Sequence, residues 1–270
     1  MRIYALRDEA GGTSEDLAFL ECYERPRSFF FELTPDADPW ALPFILHEFA
    51  QRGTRTIDAT WSLRWVQSRV LPPERQNLGE VLRENKLTDY DELRLLELTE
   101  GRCSQDACYL VPLTSDELPA WYAERVSRRL TDVFALSDFR LMGLFRSGEV
   151  VWLSARELLD DRRAFARILR DEGAFRRAVL QAGGHGVQWG ERLAISSEEL
   201  LHAGNSLPLS AEDVALVARQ ALCGTNEVAQ LLGCTRQNVS DLVRRGKLPV
   251  CKADGRMQLF LRSDVLNRRS

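Results

Sequence analysis

The chain has 270 residues, 44% of them hydrophobic and 28% charged, with a formal net charge of -4. That length fits two or three small domains, and the composition is that of a chain able to bury a core. No apolar run approaches the roughly 20 residues of a membrane span, and the opening MRIYALRDEAGG lacks an apolar signal region, so the expectation is a cytoplasmic protein without a membrane role.

SFFFELTPDADPWALPFILHEFAQRG opens with a strand-like aromatic run, Phe29 to Leu33. Asp38 before Pro39 predicts a helix cap. Phe44, Ile45, Leu46 and Phe49 form an apolar helical stripe, with Gly53 as its stop. ATWSLRWVQSRVLPPERQNLGEVLRENKL reads as two helices broken at Pro72-Pro73, and DYDELRLLELTEG as a further helix ending at Gly101. Residues 1–112 are therefore expected to form an α+β module of unassigned role, followed by a helical linker over 113–130.

From Thr131 the grammar changes to short β-rich runs and turns. Thr131 to Ala135, Arg140 to Phe145 and Val150 to Leu153 read as a meander. DRRAFARILRDEGAFRRAVL adds helical material, and GHGVQWGERLAIS a closing strand pair. Ser196 with Glu199 three positions on makes a capping box for a short helix. On FRSGEVVWLSARELL, DEGAFRRAVL and VQWGERLAISSEELL, the block Thr131–Gly204 resembles the DUF-2442 family of bacterial domains. The resemblance implies a small β domain with helices over 131–205 and an association with toxin–antitoxin systems, without an assigned chemistry. SLPLSAEDVAL reads as a connector.

Residues 211–270 carry ten Lys/Arg against six Asp/Glu, a local charge of +4, whereas residues 1–210 carry 26 against 34, or -8. A basic segment on an acidic body points to nucleic acid. In TNEVAQLLGCTRQNVSDLVRRGKLP, Val228, Leu232, Cys234, Val239 and Leu242 are spaced to pack between two crossed helices. Small Ala229 permits their approach, Gly233 suits the left-handed turn, and Thr235 caps the second helix. KLPVCKADGRMQLFLRSDVLNRR then supplies a hairpin turned at Asp254-Gly255 and a last helix capped by Ser263. This pattern resembles the excisionase and MerR-like helix-turn-helix families, which implies a winged DNA-binding domain over 211–270.

At 100° per residue the second helix turns Gln237, Ser240, Asp241 and Arg244 away from the core, and Arg236 and Asn238 flank this face at the helix start, where phosphate or base contacts are both open; the six together are assigned as base contacts. Thr235, Arg245, Lys247, Lys252, Arg256 and Arg262 are assigned phosphate contacts, which position the domain.

Other chemistry is sparse. Cys22, Cys103, Cys108, Cys223, Cys234 and Cys251 show no disulfide framework and read as reduced thiols. Cys103 and Cys108 lack the second pair of a zinc site, and His47, His185 and His202 stand isolated. Trp61, Trp65, Arg64, Arg69 and Arg75 could clamp nucleic acid or a protein, but core tryptophans beside solvated arginines are the expectation. There is no Walker lysine, dinucleotide fingerprint or metalloprotease motif, so no catalytic residue, metal or cofactor is assigned.

The class expected is an α+β multi-domain, sequence-specific regulator that binds duplex DNA as a homodimer. The middle-block resemblance favours an antitoxin-like autorepressor holding a cognate toxin. The alternatives are a DNA-bending excisionase-type adaptor and an enzyme with a tethered DNA-binding tail.

Overall fold

The computed structural model describes residues 1–9, 15–255 and 257–269. The chain is α+β and forms two compact units: Met1–Ser127 with Gln181–His185, and Arg128–Leu180 with Gly186–Ser270. No helix among the described residues is long and apolar enough to cross a membrane.

The first unit is built on a five-stranded antiparallel sheet. Its strands are β1 (Arg2–Asp8), β2 (Asp16–Glu24), β3 (Arg27–Leu33), β4 (Thr56–Ile57) and β5 (Cys108–Leu113), in the spatial order β4-β3-β2-β1-β5. Its helices are α1 (Phe44–Gln51), α2 (Ala59–Arg69), α3 (Leu78–Glu84), α4 (Glu92–Leu98) and α5 (Ala120–Ser127). Strand register separates the two faces of the sheet. Tyr4, Leu20, Phe29 and Phe31 lie on the face that packs with Leu46, Trp65, Val66 and Leu96 of the helices. Phe31 meets Trp65 edge-on at 4.9 Å. The opposite face presents Ile3, Ala5 and Phe19, which pack with Tyr122 of α5.

Several local expectations change here. Asp38 does cap, accepting from the Trp40 N–H, but it heads a 3-10 turn, Pro39–Ala41, and the α-helix begins later at Phe44. The stripe on that helix is narrower than expected: Leu46 is fully buried, whereas Phe44 is exposed. The Pro72-Pro73 break separates α2 from α3, and Gly53 ends α1 with φ of +71°. Of the tryptophan–arginine stretch, Trp65 is core as expected, but Trp61 is exposed rather than core, and Arg69 is buried rather than solvated.

The second unit contains β6 (Leu130–Ala135), β7 (Arg140–Phe145), β8 (Glu149–Ser154), the short helix α6 (Ala155–Leu159), the helical turn α7 (Glu172–Phe175), β9 (Val179–Leu180), β10 (Gly186–Trp189), β11 (Leu193–Ser196) and α8 (Ser197–Ala203). The meander is present, and the Ser196–Glu199 capping box forms in both directions. Phe139, Phe165, Phe175 and Trp189 fill the core, and the Trp189 indole donates to the Phe175 carbonyl at 2.8 Å. The supposed connector is structured. Its first half is β12 (Asn205–Ser210), paired with β8 at the edge of the sheet order β12-β8-β7-β6, a place where Pro208 is tolerated. Its second half begins α9 (Ala211–Ala221). Gly204 precedes β12 because a Cβ there would fall 2.0 Å from Val151.

The unit continues with β13 (Leu222–Gly224), α10 (Thr225–Leu232), α11 (Arg236–Arg244), β14 (Lys252–Asp254), β15 (Met257–Leu261) and α12 (Arg262–Arg269). The hairpin of β14 and β15 gains β13 as a third strand, in the order β13-β15-β14, with Cys223 opposite Phe260. Ser263 lies inside α12 rather than capping it, since the helix already starts at Arg262.

The cysteines are free, with Cys22, Cys108 and Cys223 buried and Cys251 exposed. Burial, reinforced by the nearby Asp106 carboxylate, pushes the Cys108 thiol up to about 12. Thiol-specific labelling of the native protein at mildly alkaline pH should therefore modify Cys251 first and leave Cys22, Cys108 and Cys223 protected until denaturant is added. Rapid labelling of Cys108 would contradict this packing.

Candidate nucleic-acid interface

The small core around α10 and α11 explains how the outer surface is presented. Cys223, Val228, Val239, Phe260 and Val265 are fully buried, with Ala229 and Leu248 nearly so. Gly233 takes a left-handed conformation, φ 63° and ψ 33°, and its N–H closes α10 onto the Ala229 and Gln230 carbonyls. The Cys234 N–H then bonds to the Ala229 carbonyl at 2.9 Å. Thr235 caps α11 by accepting from the Asn238 N–H. Turn and cap thus set the start of α11, and the burial of Val239 sets its rotation.

With Val239 inward, Gln237, Asp241 and Arg244 lie roughly 140–200° around the helix from it. Arg236, Gln237, Asn238, Ser240 and Arg244 are exposed, and Asp241 is half-buried. The Arg244 guanidinium donates to Asp241 at 2.6 Å, so this arginine is held along the outer face. The Ser240 hydroxyl instead donates to the Arg236 carbonyl at 3.2 Å.

Of the residues assigned to phosphates, Thr235, Arg245, Lys247, Lys252 and Arg262 are all exposed. Arg262 pairs with Glu227 at 3.4 Å. Arg236, Arg245, Lys247 and Lys252 have no carboxylate partner among the described residues. Arg256 lies outside the described residues. A groove of about 550 Å³ runs beside α11, lined by Asn238, Asp241 and Arg245 together with Arg268 of α12. Arg268 donates to the Lys247 carbonyl at 3.3 Å. Sequence reasoning passed over Arg268, whose only signal was a basic residue in the last helix.

A different cluster lies in the first unit. His185, isolated in sequence, sits with Glu21 and Glu32, and one ligand-type atom of each falls within 4.8 Å of the others. All three side chains are at most 2% exposed. His185 Nε2 is 3.0 Å from Glu21, and its ring stacks on Phe30 at 3.8 Å. Glu21 also accepts from Tyr23 at 2.6 Å and Tyr122 at 2.7 Å, and Glu32 accepts from Thr56 at 2.9 Å. Arg125 approaches Glu32 at 3.5 Å. The donors already directed at these carboxylates make the group a buried hydrogen-bonded network, in which a metal ion would have to displace existing partners.

Residues 222–267 match the family model described as "Helix-turn-helix domain". No curated protein matches the chain significantly. A crystal structure of a Nitrosomonas europaea ATCC 19718 protein, provisionally described as DNA-binding, is similar at 24% identity over 47% of this chain and 79% of its own, with a TM-score of 0.25. So slight a likeness carries no argument. The chain carries a helix-turn-helix domain of the DNA-binding kind. The likeness of Thr131–Gly204 to DUF-2442 rests on its sequence pattern alone.

Thr235→Ala should remove the cap of α11 and lower the stability of this domain by about 1 kcal/mol, with Thr235→Ser restoring most of it. Amide exchange over Arg236–Arg244 in the full-length chain measures the effect. Unchanged protection would show that packing alone holds the helix start.

Proposed function

We propose that the protein is a sequence-specific DNA-binding transcriptional regulator in which α11 enters the major groove. The observation carrying this reading is the outer face of α11, polar throughout and flanked by four cations without carboxylate partners among the described residues. Gln237 pairs with adenine and Arg244 with guanine, each through two hydrogen bonds. Asp241 holds Arg244 in the required orientation or accepts from cytosine. Arg236, Asn238 and Ser240 complete the base-reading set. Thr235, Arg245, Lys247, Lys252, Arg256 and Arg262 meet phosphates and fix the register.

We further infer that the protein acts as a homodimer. A single helix-turn-helix covers few base pairs, whereas two read half-sites about one helical turn, ~34 Å, apart and gain affinity through their linkage. The charge of -8 on residues 1–210 keeps that part of the chain off DNA and suits a basic protein partner. In the antitoxin-like form of this reading, that partner is a cognate toxin and the pair represses its own operon in the cytoplasm.

The test is competition binding of the full-length protein to selected and random duplexes. Affinity should fall steeply with salt, with a logarithmic slope of about -0.9 per neutralised phosphate. Gln237→Ala and Arg244→Ala should each lose about 1–3 kcal/mol on the selected duplex only, whereas Lys252→Ala should weaken every duplex alike. Equal losses from all three would place the reading face elsewhere. A monomer in light scattering, with one asymmetric footprint, would remove the dimer and favour a DNA-bending adaptor.

A further inference from the structure

α9, Ala211–Ala221, is 11 residues long and has no fully buried side chain. Isolated helices shorter than about 12–15 residues are marginal in water, so a helix of this length depends on what packs against it. Only one edge of α9 is packed. Ala211, Val214 and Ala221 are half-buried where the helix rests on β12, β13 and α12, and every other residue of it is exposed. Leu216 and Val217 are 51% and 61% exposed.

A lone exposed leucine is ordinary, but the setting of this one is not. Leu216 is the middle residue of α9 and lies about 160° around the helix from Val214, on the side away from the packed edge. Glu212 and Arg219 lie about 40–60° to one side of it, and Asp213 and Gln220 the same distance to the other. All five side chains are exposed. Glu212 and Arg219 stand two turns apart, about 10 Å, too far to pair within one helix. Neither has an ion-pair partner among the described residues.

This pattern is complementary to itself in one orientation. Two copies of α9 related by a two-fold axis at Leu216 run antiparallel, and each edge meets the same edge of its partner. Glu212 then faces the partner's Arg219, and Asp213 the partner's Gln220, each within about one residue rise of level. Both contacts occur twice, around Leu216 against the partner's Leu216, as an isologous interface requires. In a parallel pair Glu212 would instead face the partner's Asp213, a like charge.

We propose that α9 is a dimerisation helix that pairs antiparallel with α9 of a second copy of this chain. Leu216 lies on the axis, and Glu212 and Arg219 form reciprocal ion pairs across it. The inference rests on the homodimeric reading and supplies its contact surface. Because α9 packs on β13 and α12, it couples two helix-turn-helix domains directly.

The test is sedimentation equilibrium of the full-length protein without DNA. So short a contact falls below the ~1,200 Å² of standard interfaces, so dissociation on the order of 100 µM is expected at low salt. Leu216→Glu should leave only monomer at that concentration. Arg219→Glu should weaken the dimer about tenfold, since each change acts at two symmetric contacts. The double exchange Glu212→Arg with Arg219→Glu should return it to within about twofold of the parent. All three positions are exposed, so circular dichroism should match the parent throughout. A dimer that none of these changes weakens would overturn the α9 contact and leave the homodimeric reading to another surface. A double exchange no tighter than Arg219→Glu would overturn the antiparallel pairing. A monomer at every concentration up to about 500 µM would overturn both this inference and the homodimeric reading.

Discussion

The burial of Val239 governs the presentation of the helix-turn-helix. It is fully enclosed among Val228, Phe260 and Val265. A helix with one such anchor has its rotation settled, because every other side chain follows at about 100° per residue. Leu242 and Val243, flanking the anchor, are half-buried against the same core. The remaining polar side chains have nowhere to go but outward. Gly233 and Thr235 then settle the axial position, the first through its left-handed turn and the second through its cap. The three-stranded sheet supports the arrangement from the other side, since Cys223 and Phe260 are paired across β13 and β15.

The first unit solves a different problem. Its sheet is covered on both faces, and one covered face includes two carboxylates and a histidine. Burying Glu21 and Glu32 without donors would be prohibitive, and the structure supplies Tyr23, Tyr122, Thr56, Arg125 and His185 around them. Such a network specifies which partners meet more than it adds net stability, because desolvation offsets much of the attraction between its charges. The same unit leaves Trp65 Nε1 and Arg69 Nε buried without acceptors among the described residues.

The helix-turn-helix was legible in sequence because its signals are local. The apolar spacing, Gly233 and Thr235 all lie within a few residues of one another, and the meander and the Ser196–Glu199 box were readable for the same reason. β1, β2 and β5 were not identified. Strands buried on both faces lose the alternation that marks a half-buried strand, as the buried run from Ala18 to Cys22 illustrates. β13 is three residues long and is a strand only through its pairing with β15. His185 looked isolated because its partner Glu21 is 164 residues away. Arg69 looked like a solvated helix residue because its acceptors, Gly101 and Asp106, lie across a connection that no spacing rule describes.

The central claim is that the side of α11 opposite Val239 is the surface that meets DNA. Amide NMR of the full-length chain, recorded with and without a duplex at low salt, tests it most directly. The account predicts that perturbations concentrate on Arg236 to Arg245 and on Lys252, and fade together as salt is raised. Perturbations centred on the first unit, or a duplex that binds while leaving α11 unchanged, would contradict it.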